Sequence, residues 1–141
     1  MAKSKVSNVS EVKVDNALGT LINLRGYVDT ISALGKQVAQ LDVTTFADSA
    51  ERVIAGIEES QEFTISGPFD DTATTGPDVV LSARVGTLGS WEWHPMGTAV
   101  GSRKFSGEAL CIRYTVTGEV KGRVQYEAVF KVDGSSTVGT N

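Results

Sequence analysis

Few residues of this chain could do covalent chemistry, and they form no recognisable catalytic pattern. His94 is the only histidine and Cys111 the only cysteine among 141 residues. A nucleophilic mechanism needs a base beside the thiol, or a triad that the fold assembles around the imidazole. A lone histidine beside Pro95 is usually structural, and Cys111 falls on the polar side of its predicted strand with only Arg113 nearby. We therefore predict that the chain is not an enzyme, and a small hydrolase using His94 and Cys111 is the weakest alternative.

Metal and phosphate sites are equally poorly supported. Asp70 and Asp71 lie together in a turn-rich stretch, with Asp78 further on, but the D-x-D-x-D-G pattern of a calcium loop is missing. One histidine excludes a histidine-rich metal site by count. The Gly101–Lys104 stretch lacks the spacing of a phosphate loop and precedes a strand where a phosphate loop would precede a helix. We predict no cofactor and no metal.

Two tryptophans, Trp91 and Trp93, share one face of a predicted strand. Core packing is the default for such a pair, and a contact between subunits is the alternative. A platform for stacking nucleic-acid bases needs basic residues among the aromatic ones, and here Glu92 separates the two rings.

Length, composition and charge indicate one soluble domain spanning residues 1–141. Hydrophobic residues make up 40% and charged residues 21%, a balance that argues against wholesale disorder. The net charge of −4 gives no basic footprint for gripping nucleic acid. No apolar run is long enough for a membrane helix, so we expect no membrane association. Residues 1–9 and 135–141 are polar and lack periodicity, which predicts a flexible arm and a flexible tail.

Alternation of apolar and polar residues dominates the chain and predicts many β-strands. The clearest alternation covers 120–132 and the strand before it, 110–116. A three-residue turn over 117–119 would match the apolar faces by pairing Val116 with Val120 and Ile112 with Val124. That register also places Arg113 opposite Arg123. Such like charges would either splay into water or meet carboxylates from elsewhere in the fold or from a neighbouring subunit.

The remaining pattern predicts further short elements. A helix is predicted over 77–86, where Pro77 suits a first turn and Gly86 a stop, and a helical turn over 48–55. Other strands are predicted over 11–16, 20–25, 37–44, 61–66 and 90–94. The expected fold is mainly β: a β-sandwich or partly closed barrel with one short flanking α-helix and a long loop between strands.

Several segments, taken in order, resemble one protein family. They are L-D-V-T-T-F-A-D-S-A-E-R (41–52), E-F-T-I-S-G-P-F-D (62–70), P-D-V-V-L-S-A (77–83), W-E-W-H-P-M-G-T-A-V-G (91–101), F-S-G-E-A-L (105–110) and F-K-V-D-G (130–134). The D-T-I-S stretch at 29–32 looks like the D-x-S element that precedes them. Over about residues 10–134 the chain thereby resembles the major tail (tail tube) proteins of long-tailed, non-contractile bacteriophages.

The resemblance implies a structural virion protein that works by repetition. Six subunits would close into a ring, with their inner strands joined into one barrel around a lumen. Rings would stack into a hollow tube, assembled in the bacterial host cytoplasm and located in the virion tail, through which DNA passes without specific binding. The implied partners are further copies of the chain, a tape-measure protein and tail tip or terminator proteins. The tube of a phage-like particle or gene transfer agent fits equally, and a monomeric β-barrel ligand-binding module is the alternative of another class.

The resemblance also implies two groups of functional residues. A ring-stacking loop matches 44–60, and a tube wall or lumen matches the strand pair over 104–132. Stacking candidates are Thr44, Thr45, Phe46, Asp48, Ser49, Glu51, Arg52, Glu58 and Glu59. Lumen candidates are Asp42, Glu62, Arg113, Lys121, Arg123, Gln125, Glu127 and Lys131.

Overall fold

The computed structural model describes residues 10–32, 37–59 and 61–141. It is mainly β with one short α-helix, as the sequence predicts. The elements are β1 (Glu11–Asp15), β2 (Leu21–Asn23), β3 (Thr30–Ile31), β4 (Val38–Asp42), β5 (Val53–Glu58), β6 (Glu62–Pro68), α1 (Pro77–Ser82), β7 (Leu88–His94), β8 (Arg103–Thr117) and β9 (Gln125–Thr140), with a 3-10 turn at Arg25–Tyr27.

Seven of the strands form one antiparallel sheet, in the order β2-β1-β7-β8-β9-β6-β3. Two strands separate β7 from β6 in this order, yet the rings of Trp91 on β7 and Phe63 on β6 lie 5.1 Å apart. The sheet therefore curls over and packs its two halves against each other, while β2 and β3 remain its open ends. β4 and β5 form a separate two-stranded sheet.

The core lies on the concave side of the curled sheet and follows the alternation of the sequence. Along β9, Tyr126, Ala128, Phe130 and Val132 are all buried, as predicted for one face of that strand. Phe63 stacks on Phe130 at 5.2 Å. Trp91 is also buried, so its predicted core role is confirmed.

Helix α1 closes one side of the core with Val80 and Leu81. Its start depends on Gly76, because a Cβ there would lie 2.6 Å from the Thr72 carbonyl oxygen. Pro77 occupies the first turn, as predicted, and the helix ends at Ser82, before the predicted stop at 86.

The predicted turn between the two long strands is wrong. Val116 lies opposite Tyr126, and residues 118–124 form a seven-residue loop. The Phe69 amide holds this loop by donating to the Val124 carbonyl at 2.9 Å. Arg113 therefore does not face Arg123.

The prediction that Cys111 lies on the polar face of its strand is also wrong. A β-bulge between Cys111 and Arg113 inverts the alternation of β8. Cys111 is fully buried opposite Phe130, whereas Ile112 is exposed.

Three predictions about irregular segments have different outcomes. The predicted helical turn over 48–55 is wrong, because β5 begins at Val53. The predicted flexible tail over 135–141 is also wrong. There β9 continues to Thr140, which pairs with Arg103 at the start of β8. The predicted N-terminal arm, residues 1–9, lies outside the described residues, as does Ser60 at the end of the predicted stacking loop.

Candidate assembly surfaces

The most unusual surface is the two-stranded arm over residues 37–59. Within the described residues, β4 and β5 pair only with each other. Apolar side chains are exposed along both strands and the connecting turn. Paired residues of the two strands lie on the same face of the arm, so Leu41 and Ile54 are on one face and Asp42 and Val53 are on the other. The exposed apolar residues are Val38, Leu41, Val43, Phe46, Val53, Ile54 and Ile57. An isolated two-stranded ribbon is marginal in water, and apolar exposure of this extent is typical of surfaces that contact another molecule.

The tip of the arm, residues 43–52, is ordered by its own polar groups. The Thr45 amide donates to the Asp48 carboxylate at 2.8 Å, and the Arg52 amide donates to the Thr44 hydroxyl at 2.8 Å. The Asp48 carboxylate also lies 3.7 Å from the Arg52 guanidinium. These contacts hold Phe46 completely exposed between them. All nine stacking candidates lie on this arm, from Thr44 to Glu59.

Five of the lumen candidates share one outward face of β6, β8 and β9. Glu62 lies opposite Lys131, and the Arg113 guanidinium donates to the Glu127 carboxylate at 3.2 Å. Gln125 continues the same row at the start of β9. The carboxylate that Arg113 meets therefore belongs to its own hairpin, and this face carries as many negative as positive candidates.

The other three lumen candidates lie elsewhere. Asp42 is at the end of β4 on the arm, where its carboxylate accepts from the Thr44 amide at 2.9 Å, and this bond lowers the pKa of Asp42. Lys121 and Arg123 lie in the 118–124 loop. Arg123 donates to the Asp29 carboxylate, and this hydrogen bond holds the pKa of Asp29 below its usual range.

One edge of β8 has no neighbouring strand in the part of the chain that is described. β7 reaches only as far as Leu110, and Cys111 is bridged by Val85. From Ile112 to Thr117, β8 pairs with β9 on one side only. An edge of this length offers backbone donors and acceptors to another chain.

The two residues with catalytic potential are far apart. Trp93, next to His94, pairs with Phe105, whereas Cys111 lies six residues further along β8, about 20 Å away at the usual strand rise. The buried His94 ring contacts Glu92 at 3.0 Å. Burial raises the pKa of the Cys111 thiol, which is the opposite of what an activated nucleophile needs.

Asp70 lies in the turn before α1, and Asp78 lies in the first turn of the helix. The Asp70 carboxylate accepts from the Thr72 amide at 2.7 Å, and Asp78 accepts from the Tyr114 hydroxyl at 3.0 Å.

Across the described ranges, no group of three or more potential ligands could hold a metal ion. In the same ranges, no helix has the length and apolar character needed to cross a bilayer. In the Gly101–Lys104 stretch, Gly101 ends a turn with a φ of 88°, and Arg103 and Lys104 are the first residues of β8.

Sequence reasoning missed a buried arginine. Arg84 is 2% exposed and donates to the carbonyl oxygens of Asp15 at 2.9 Å and Ala109 at 3.1 Å. Gly89 makes room for it, since a Cβ there would lie 2.8 Å from the guanidinium carbon. Burial lowers the pKa of Arg84. Its Nε also donates to the Thr87 hydroxyl at 3.3 Å. Its other partners are backbone carbonyls of β1 and β8, which no residue pattern reveals.

Among known proteins, solved structures resemble this chain. No family model matches it, and no curated protein matches its sequence. Solved structures do match along nearly the whole chain. The tail of an empty gene transfer agent particle, refined with C6 symmetry, contains a chain with TM-score 0.73 and 14% identity, over 97% of this chain and 100% of that one.

Two further assemblies contain chains with similar matches. A chain in the extended sheath-tube complex of the extracellular contractile injection system PVC has TM-score 0.72 and 10% identity, over 99% of this chain and 93% of that one. A chain in the baseplate of the anti-feeding prophage has TM-score 0.70 and 9% identity, over 99% and 98%. The protein thus has the fold found in tail and tube assemblies of phage-like particles. Because one of these assemblies is a contractile injection system, the fold does not support the predicted restriction to non-contractile tails.

Proposed function

We propose that this protein is a tail tube subunit that assembles into stacked, six-membered rings and forms a hollow conduit for DNA. The observation that carries the proposal is the arm. A chain with the fold of tail assemblies exposes apolar side chains on both faces of a ribbon that pairs with nothing else in the described residues. Burying them between copies would remove apolar surface from water at every repeat. The six-fold symmetry is carried over from the gene transfer agent tail.

Ring closure would use the unpaired edge of β8. Residues 112–117 of one subunit would pair with the outer edge of β4 in the next, which also has a single partner strand, β5. Pairing of this kind satisfies exposed backbone groups and removes an edge that would otherwise aggregate. The sheets of successive subunits would then join into one barrel around the lumen.

The face carrying Glu62, Arg113, Glu127 and Lys131 would line that lumen. Opposite charges meet there in pairs, at Glu62 with Lys131 and at Arg113 with Glu127. A lining that balances its cations in this way releases few counterions from DNA, and therefore holds the phosphates weakly. Such a surface suits passage better than retention.

The same proposal sets the protein's location and partners. It places the subunit in the tail of a virion or phage-like particle, with copies of itself above, below and beside it. A tape-measure protein and terminator proteins would set the length and ends of the tube. The neighbours contain sheath, tube, terminator and baseplate assemblies, which supports a tube that works with other tail proteins.

Negative-stain electron microscopy of the purified protein across a concentration series tests the proposal. We expect rings and hollow tubes above a threshold concentration, with a central channel and one repeat per ring. Sedimentation of the same samples would report the threshold. A protein that stays monomeric at every concentration, with and without preformed tube fragments as seeds, would contradict it.

A further inference from the structure

The arm and the β8–β9 loop project from opposite ends of the same strands. β6 begins at Glu62, four residues after the arm's β5 ends, and runs about 20 Å to Pro68. Pro68 lies opposite Gln125, the first residue after the 118–124 loop. In a stack of rings that all point the same way, one end of each ring meets the other end of the next. The arm tip of one copy would therefore approach the loop of another.

The loop resembles the arm tip in presenting a fully exposed apolar residue on an ordered support. The Gly122 amide donates to the Glu119 carbonyl at 3.2 Å, which forms a turn. One end of the loop is held through Val124 and Phe69, and Arg123 is held by Asp29. At its apex, Val120 is as exposed as Phe46 is on the arm.

The charges of the two surfaces are complementary. The stretch 42–52 carries the carboxylates Asp42, Asp48 and Glu51 against one cation, Arg52, which faces Asp48. The loop carries two cations, Lys121 and Arg123, against one carboxylate, Glu119. The Arg123 guanidinium is already paired with the Asp29 carboxylate, so Lys121 is the cation that can meet a carboxylate of another copy. The acidic, aromatic tip is attracted to Lys121 on the aliphatic loop, whereas two tips repel each other. Complementarity of this kind favours head-to-tail contact.

We propose that Phe46 at the arm tip docks against Val120 in the 118–124 loop of a second copy in the next ring, with Glu51 facing Lys121. This inference rests on the proposed tube function and names the surface that receives the arm. Both partners are ordered before they meet, so docking costs little conformational entropy. An aromatic anchor buried at the centre of the contact would carry much of its binding free energy.

Engineered cysteines test the contact directly. The variant F46C/V120C, assembled into tubes and oxidised, should give a ladder of disulfide-linked multimers on a non-reducing gel. Cys111 is buried and should not contribute. The matched control is F46C/V100C, since Val100 is just as exposed but precedes the other end of β8. That control should give no ladder.

A second measurement uses the threshold concentration for tube formation. F46S should raise it at least tenfold, while V100S leaves it unchanged. E51K and K121E should each raise it several-fold, and the double variant should restore it.

The outcomes separate the two proposals. Tubes that form without the Phe46–Val120 ladder, or with an equal ladder in the Val100 control, overturn this docking and leave the tube function standing. A wild-type protein that forms no tubes under any condition overturns both.

Discussion

The Arg123 guanidinium donates a hydrogen bond to the Asp29 carboxylate and so ties the β8–β9 loop to the turn before β3. Both side chains are about half exposed, so the pair should contribute only about 0.5 kcal/mol to the free energy of unfolding. The hydrogen bond lowers the pKa of Asp29 in the folded protein. Its contribution is therefore fully present above the unfolded-state pKa of about 3.9. It is lost as the pH falls through the lower folded-state value.

We therefore expect D29N to be less stable than the wild-type protein at pH 7 by about 0.5 kcal/mol and equally stable near pH 2. Urea unfolding at dilute, monomeric concentration across this pH range would measure the difference. D71N, in the exposed turn before α1, is the matched control and should be as stable as the wild-type protein at pH 7. A D29N deficit that persists undiminished at pH 2 would contradict the assignment.

Gly67 on β6 should tolerate no side chain. A Cβ there would lie 2.0 Å from the Tyr27 carbonyl oxygen, which also accepts the Tyr126 hydroxyl at 2.6 Å. Since this obstacle is backbone, β6 or the 3-10 turn must move, and we expect G67A to lower the free energy of unfolding by about 3 kcal/mol. Thermal or urea unfolding would show it. G26A, in open space on the same 3-10 turn, should change stability by less than about 1 kcal/mol.

Period-2 alternation predicted most strands and the buried face of β9, but it could not predict how β8 and β9 pair. The predicted partner of Val116 was Val120, and the observed partner is Tyr126, six residues further on. A shift by an even number keeps the same side chains on the same face, so the pattern fits both registers. Contacts distant in sequence, from Phe69 and Asp29, decide for the longer loop.

The sequence likewise predicted where the arm lies, but it did not predict the secondary structure of β5 or the exposure of Cys111 and Val120. The arm was located through a resemblance of short motifs, but the start of β5 was mistaken for a helical turn because its residues, V-I-A-G-I over 53–57, do not alternate between apolar and polar. The bulge beside Cys111 left no trace in the sequence, and it inverted the expected exposure of that residue. Val120 was assigned to a buried face because it continues the alternation of β9. Its position in the 118–124 loop, and not its residue type, leaves it fully exposed.

The unpaired edge of β8 allows a sharp test of ring closure. Along a strand, alternate backbone N–H groups point to opposite neighbours. Of the variants T115P and V116P, one therefore removes a hydrogen bond to β9 and the other removes a donor from the free edge. We expect one to destabilise the monomer and the other to leave it folded yet unable to form rings.

Circular dichroism would report folding of these two variants, and electron microscopy would report rings. In the wild-type protein, amide hydrogen exchange over 112–117 should slow on assembly. Two proline variants that both fold and both form normal rings would show that this edge is not used.

The charge balance of the proposed lumen face predicts how the tube treats DNA. Glu62 lies opposite Lys131, so E62K reverses one charge per subunit and leaves two cations facing each other. The local repulsion costs about 0.5 kcal/mol, too little to prevent folding or assembly. Repeated around every ring, however, the change gives a basic lining that binds phosphates by releasing counterions.

We expect E62K tubes to retain short duplex DNA at low salt and to release it steeply as salt rises, while wild-type tubes retain little at any salt. Co-sedimentation of labelled DNA with tubes would measure this. D71K makes the same charge change on the turn before α1 and should behave as wild type. Equal retention by E62K and D71K tubes would place Glu62 outside the lumen.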